Sequence, residues 1–168
     1  FTHRPEARSL GSALRGQEVV DGALPLTGLV LTGDPVAQDL ADADHMAELH
    51  GFGWLDDLAA VNNAKARDMA QARVLGWISA HPAPPDDPGS DPVWRADVTG
   101  RRLLRWLYHS GQILPGLSRD QAQPFFDSLH AQLDFLNRVE ASAGLPRIEA
   151  LTGAAIAAML LKGAEGQA

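Results

Sequence analysis

One stretch of nine residues decides how this chain is interpreted, and it reads His50-Gly51-Phe52-Gly53-Trp54-Leu55-Asp56-Asp57-Leu58. Its pattern predicts a helix that is interrupted near the two glycines. At helical spacing His50, Trp54 and Asp57 share one face, while the large apolar side chains take another face that suits a core. Such a helix could line a groove in which a sugar ring stacks on the indole. The alternative is that Trp54 packs in the core, as aromatic residues at helical spacing usually do, and that the aspartates are solvated.

A second stretch, Asp97 to His109, repeats this pattern of an aromatic residue flanked by a charged residue and an imidazole. Arg102, Trp106 and His109 fall at i, i+4 and i+7, so they share one helical face. Arg102 could bind a substrate carboxylate or sulfate through two parallel hydrogen bonds. The alternative is structural: Arg101 or Arg102 holds two helices in register by pairing with Asp56, Asp57 or Asp97.

A third candidate lies at the predicted start of the last helix, within Leu145 to Gly153. Arg147 supplies a cation there and Glu149 a carboxylate, although an acidic residue in a first helical turn is also favoured by the helix dipole. The candidate substrate-binding residues are thus His50, Trp54, Arg102, Trp106, His109, Arg147 and Glu149. The candidates for structural ion pairs are Asp56, Asp57, Asp97 and Arg101.

Helical periodicity predicts an all-α fold of antiparallel helical hairpins, because short connections make sequential helices neighbours. Asn62-Asn63 is a predicted turn, and the prolines between His81 and Pro92 predict a surface loop. Ser118 and Gln121 have the spacing of a capping box, which starts a long helix. The predicted helical segments are 36–61 with its break, 64–80, about 99–114, about 119–142 and 147–162.

The first part of the chain lacks the helical periodicity of the rest, which predicts a separate element. Residues 1–35 are irregular, with arginines mixed among glycine and serine, and the segment from Leu24 to Pro35 is short, partly β-branched and bounded by glycine and proline. This favours an extended arm with one small hairpin. The expected organisation is therefore an arm over 1–35 followed by a helical domain over 36–168.

Composition excludes several classes of function. The chain has 168 residues, 45% of them hydrophobic, which suits one folded domain with a substantial core. A net charge of −7 without a basic run argues against a nucleic-acid partner. The absence of cysteine rules out disulfides and thiolate zinc sites, and no histidine motif predicts a metal site. The longest apolar run is too short to span a bilayer, and the sequence leaves a periplasmic or a cytoplasmic location open.

Three blocks taken together resemble the N-terminal helical region of bacterial heparinase II/III-like proteins. The blocks are His50 to Ala60, Asp97 to Trp106 and Gly144 to Gly153, in that order and at that spacing. The segments Arg8 to Ser12 and Gly16 to Gly28 are also similar to the arm that precedes this region.

The resemblance implies an incomplete α/α toroid around a cleft, followed by further helices and a β-sandwich domain. It also implies β-elimination on uronic-acid polysaccharides such as heparan sulfate and alginate, without a cofactor. In that chemistry a neutralising group acidifies the C5 proton, and a tyrosine or histidine base removes it.

This chain departs from the family pattern near the third block. Gly144-Leu145 stands near the place of the family's Asn-His pair, so Arg147 would have to supply the neutralising cation. The family's base tyrosine and later histidines would lie beyond Ala168. We therefore expect a truncated member that forms one cleft wall for an acidic polysaccharide, inactive without the missing C-terminal part of its own chain. The alternatives are a non-catalytic helical carbohydrate-binding or scaffold module, and a helical interaction domain in which both Trp54 and Trp106 are buried.

Overall fold

The computed structural model describes residues 1, 10–35, 38, 40–87 and 91–161, which form a mostly helical domain with one short hairpin. This confirms the predicted helical character, while the toroid remains a prediction. A 3-10 turn at Pro92–Trp94 precedes α5. The elements are α1 (Ala13–Val20), β1 (Ala23–Leu26), β2 (Leu29–Thr32), α2 (Ala43–His50), α3 (Trp54–Val61), α4 (Ala64–Ala80), α5 (Ala96–Tyr108), α6 (Ser110–Ile113), α7 (Arg119–Arg138) and α8 (Leu145–Leu160).

The N-terminal segment contains the predicted hairpin and also a helix that the sequence did not predict. The strands β1 and β2 pair antiparallel with Leu24 opposite Leu31. The prediction of a purely extended arm is wrong over α1, which the Ser12 side chain caps by accepting from the Arg15 amide. Val19 and Val20 of α1 are buried in the same core as the later helices. A helix of eight residues offers too little periodicity to stand out against its glycine and arginine residues.

The predicted break in the opening stretch is confirmed, and it separates two helices. Helix α2 ends at His50, Phe52 adopts a left-handed conformation with φ of 59°, and α3 begins at Trp54. His50 and Trp54 therefore lie on different helices, and the expectation that they share one helical face is wrong. The turn at Asn62-Asn63 is present, because left-handed Asn62 ends α3 and the Asn63 side chain caps α4.

The later helices differ from expectation mainly at their ends. Helix α5 begins at Ala96 rather than near Thr99, and it stops at Tyr108, with the short α6 continuing after His109. The capping box of Ser118 and Gln121 is confirmed. Helix α7 stops at Arg138 because Val139 is extended, and α8 starts at Leu145 with proline tolerated in its first turn.

The core is a single cluster that draws on every long helix. Its centre is aromatic: Trp77 contacts Phe52, Trp94 and Trp106 edge-on or tilted, at centroid distances of 5.4 to 6.1 Å. Helix α5 packs extensively against α8, and α1 packs against α3. Among the described helices, none combines the length and the apolar character that a membrane crossing requires.

Candidate functional site

Arg102 is the polar centre of the described fold, since it is fully buried with a relative exposure of 0%. Its Nη1 donates to the carbonyl oxygens of His50 and Val93 at 3.2 and 3.0 Å. Its Nε donates to Gln132 Oε1 at 2.9 Å, and its Nη2 donates to Thr99 Oγ1 at 3.3 Å. One side chain of α5 thus ties together the end of α2, the 3-10 turn and α7.

The Arg102 guanidinium lies over the ring faces of two tryptophans. Its central carbon lies 4.1 Å from the Trp77 ring centroid and 5.0 Å from that of Trp94. Burial lowers the pKa of Arg102 to about 9, so the group stays charged at neutral pH. Cation–π contacts and neutral hydrogen-bond acceptors stabilise this desolvated charge. Arg102 is therefore engaged inside the fold, away from any solvent-exposed ligand surface of the described residues.

His50 is buried beside this centre and is held neutral. Its Nδ1 accepts a hydrogen bond of 3.0 Å from the Trp77 indole N–H, so the ring proton lies on Nε2. Burial, followed by the positive charge of Arg102 and the neighbouring His81, lowers the pKa of His50 to about 3. Burial also lowers the pKa of His81, whose ring centroid lies 5.6 Å from that of His50.

Asp56 anchors α3 to the end of α5. Its Oδ1 accepts from His109 Nε2 at 2.6 Å, and its Oδ2 accepts from Arg105 Nε at 3.2 Å. Arg105 also donates to the Gly51 carbonyl oxygen at 3.2 Å. His109 is only 4% exposed, so this pair is an interhelical clamp rather than an open acid–base site.

Asp57 anchors α3 to α1. Its Oδ1 accepts from the Ser12 amide at 2.7 Å and from Arg15 Nη2 at 3.1 Å. Asp57 is nearly buried while Arg15 is largely exposed. The packing alternative assumed that the aspartates of the opening stretch are solvated, and this is wrong. Both aspartates instead join separate helices.

Asp97 begins a ladder of charges that links α5 to α8. It accepts from Arg95 at 2.9 Å and from Arg101 at 3.2 Å. Arg101 Nε also lies 3.7 Å from a carboxylate oxygen of Glu149. Asp97 and Arg101 therefore pair within α5, so this pair does not hold two helices in register as expected, and the contact between α5 and α8 is made by Arg101 with Glu149.

Glycines make the closest contacts between the helices, and the sequence analysis did not single them out. A Cβ on Gly100 would lie 2.5 Å from the Glu149 carbonyl oxygen, and a Cβ on Gly153 would lie 2.6 Å from the Gly100 Cα. Gly11 and Gly16 meet the backbone of Asp56 and Asp57 at similarly short range. The dipeptide Thr-Gly was no signal for these contacts, because it also occurs at Thr27-Gly28 and Thr32-Gly33, whose glycines have nothing within 4 Å of a Cβ position.

The two indole candidates are core residues. Trp54 is 5% exposed and its Nε1 donates to the Leu49 carbonyl oxygen at 3.1 Å, while Trp106 is fully buried against Phe52 and Phe125. This arrangement supports the packing alternative for both tryptophans. In the third block, Arg147 is exposed and Glu149 is half-buried.

Solvent-accessible space near the three blocks consists of small grooves. One of about 150 Å³ is bordered by Arg15, Arg105 and the edge of Trp54. Another of about 350 Å³ lies between the start of α5 and the α7–α8 connection, beside Arg95 and Pro146. A third of about 110 Å³ includes Arg147 and shares Glu140 and Ala141 with the second. Arg95 and Arg147 border the second and third grooves, together with Asp97 in the second groove and Glu140 in both.

Metal-binding geometry is absent from the described residues, in which no three histidine, aspartate or glutamate side chains converge.

Comparisons with known proteins identify no relative: no protein-family model, no curated protein and no solved structure matches the chain. The resemblance to heparinase II/III-like proteins therefore rests on the three sequence blocks alone.

Proposed function

We propose that this chain is the N-terminal helical part of a heparinase II/III-like polysaccharide lyase, in which it forms and stiffens one wall of the sugar cleft. One observation supports the proposal: the second block contacts both of the others in the fold, although the three blocks lie about fifty residues apart in sequence. Arg102 of the second block binds the His50 carbonyl of the first, and Gly100 lies against Glu149 and Ala150 of the third.

Burial separates the residues that stabilise the fold from those that solvent can reach. Trp54, Trp106, Arg102, His50 and His109 are internal, so they act by positioning helices. Arg147 is exposed and can attract the carboxylates of an acidic polymer. The side chain of Arg95 is 41% exposed, although its guanidinium is paired with Asp97. Residues that remove the C5 proton and protonate the leaving group belong, in this proposal, to the polypeptide after Ala168.

The test is to express the longer natural polypeptide that carries this chain and to assay a panel of uronic-acid polymers. β-Elimination leaves an unsaturated uronate that absorbs in the ultraviolet. We expect such a product from at least one polymer. Failure to form the product across heparan sulfate, chondroitin, hyaluronan and alginate substrates would remove the enzymatic proposal.

A non-catalytic scaffold or carbohydrate-binding module is the second candidate, and the burial of Trp54 and Trp106 favours its scaffold form. It predicts that the longer polypeptide releases no product. Isothermal titration with the same polymers then separates its two versions. A binding module binds sugar and loses affinity when Arg95 or Arg147 is replaced by alanine, whereas a pure scaffold binds none.

A further inference from the structure

The Trp77 indole is surrounded by two neutral imidazoles and one charged guanidinium. His50 accepts a hydrogen bond from the indole N–H, and the His81 ring lies tilted against the indole with centroids 4.7 Å apart. The two imidazoles meet edge to face at a centroid distance of 5.6 Å. The Arg102 guanidinium carbon lies 4.1 Å from the centre of the same indole. These four residues, the Trp77 cluster, join α2, the end of α4 and α5.

His81 has no acceptor in place for an added proton. Its Nε2 is buried and makes no hydrogen bond with any described residue. A neutral imidazole can leave this nitrogen bare, but an imidazolium carries a proton on both nitrogens. The charged ring would therefore bury an N–H without an acceptor, and that cost is avoided if the ring moves toward solvent.

The charges that act on the two imidazoles oppose a second positive charge at this place. Burial and then Arg102 lower the pKa of His81, whereas the Asp91 carboxylate raises it. Burial, then Arg102 and then His81 lower the pKa of His50. His81 is the more exposed of the two rings, so it takes up a proton first as the pH falls.

The elements that meet at the Trp77 cluster end there or are short. Helix α2 ends at His50, α4 ends before its C-cap His81, and the 3-10 turn that packs on α2 has three residues. The Asp91 carboxylate holds this turn by accepting from the Val93 amide at 2.9 Å. Helix ends and short turns open at a lower free energy than the middle of long helices, so a local change can precede unfolding.

We propose that the Trp77 cluster is an acid-sensitive latch: protonation moves the His81 ring away from Trp77 and loosens the 3-10 turn, while the rest of the helical core stays packed. The turn leads directly into Arg95, which is the N-cap of α5 and borders the groove of about 350 Å³. Through this connection the shape of the groove changes with pH. The latch operates whether or not the chain is part of a lyase.

Nuclear magnetic resonance of the isotope-labelled 168-residue chain tests the latch by titration with acid. Long-range proton–nitrogen spectra show the protonation state of each histidine ring. The indole N–H signals show the surroundings of the four tryptophans. Trp54 is the internal control, because its N–H donates to the Leu49 carbonyl oxygen rather than to a histidine.

We expect His81 to become protonated at a higher pH than His50. The Trp77 and Trp94 signals should move to a second position in step with His81, while the Trp54 signal keeps its position. Simultaneous loss of all the indole signals would overturn the proposal, because acid would then unfold the whole chain in one step. Protonation of His81 without a change at Trp77 and Trp94 would overturn it as well.

The variant His81→Phe separates the latch from other effects of acid, because phenylalanine keeps a ring beside Trp77 but cannot take up a proton. It should hold the Trp77 and Trp94 signals at their first position across the pH range in which His81 titrates in the wild type. His130→Phe, on α7, is the matched control and should retain the wild-type change. A transition that persists in the His81→Phe variant would contradict the proposal. If that variant does not fold, the wild-type titration still decides, since its outcomes are read from the unaltered chain.

Discussion

The backbones of Gly100 and Gly153 lie in direct contact where α5 crosses α8. A Cβ on Gly153 would meet the carbonyl oxygen of Gly100 and lie 2.6 Å from its Cα. The charge ladder from Asp97 through Arg101 to Glu149 runs across the same crossing. The second and third blocks thus describe the two sides of one helix–helix contact.

Substitution of either glycine should separate these helices. We expect Gly100→Ala or Gly153→Ala to lower the free energy of unfolding by about 3 kcal/mol, since the added methyl group meets backbone that cannot move aside. Urea denaturation followed by circular dichroism measures the change. Gly76→Ala is the matched control: Gly76 is an exposed α4 residue with nothing within 4 Å of its Cβ position. That control should gain about 0.5–1 kcal/mol, and an equal loss in all three variants would contradict the account.

Arg102 should be far more important for stability than its neighbour Arg101. Arg102→Ala leaves the His50 and Val93 carbonyl groups and Gln132 without their buried donor, so we expect a loss of about 3–5 kcal/mol. Arg101→Ala leaves Asp97 paired with Arg95 and should cost about 1 kcal/mol or less. Tryptophan fluorescence should shift only in the Arg102 variant, because its guanidinium contacts Trp77 and Trp94. Comparable losses for the two arginines would argue against the buried centre.

Acid should destabilise the fold through His50. Its pKa falls from 6.5 to about 3 on folding, so between these values the unfolded state binds a proton that the folded state does not. The contribution of neutral His50 to the free energy of unfolding is therefore fully present above pH 6.5. It declines as the pH falls toward 3, with a slope of up to ~1.4 kcal/mol per pH unit. The lowered pKa of His81 acts in the same direction.

The pH dependence of urea unfolding measures this effect. His50→Gln, whose amide oxygen can still accept from Trp77, should flatten the slope between pH 6.5 and 4, while the control His130→Gln should leave the His50-dependent slope in place. An unchanged slope in the His50→Gln variant would contradict the assignment.

Removal of the Asp57 carboxylate should release α1. Asp57→Ala deletes the acceptor of the Ser12 amide and of Arg15, and we expect a loss of about 2–3 kcal/mol. Hydrogen exchange over Gly11 to Val20 should quicken before the rest of the chain opens. Asp21→Ala is a control, because its contacts with Gln17 and Lys65 are at the surface and should contribute less than about 0.5 kcal/mol. Uniform acceleration across the whole chain would show that α1 is not a separately anchored element.

The features of the fold that sequence patterns predicted are those with local causes. The capping box at Ser118, the cap at Asn63 and the break before Trp54 each depend on residues within four positions of one another. Helix α1 was missed because its stability comes from Asp57, 45 residues after Ser12. Contacts at that separation leave no trace in local periodicity.

The candidate site illustrates a second limit of periodicity. A helix packed between neighbours buries more than one face, so the spacing of Arg102, Trp106 and His109 is compatible with a groove or with a core. The structure resolves the choice by the partners of these residues: Arg102 lies between two indoles, and His109 binds Asp56. Burial of a charged residue among aromatic rings depends on tertiary packing, which the sequence alone does not specify.

The central claim is that the aromatic residues of the blocks stabilise the fold from its core and do not contact sugar. The most direct test compares wild type with Trp54→Phe in the longer natural polypeptide. Phenylalanine keeps most of the packing but removes the indole N–H that bonds Leu49. We predict that KM for the polymer stays within about twofold of wild type while the free energy of unfolding falls by about 1–2 kcal/mol. A KM raised tenfold or more with an unchanged free energy of unfolding would contradict the account, because Trp54 would then contact the substrate.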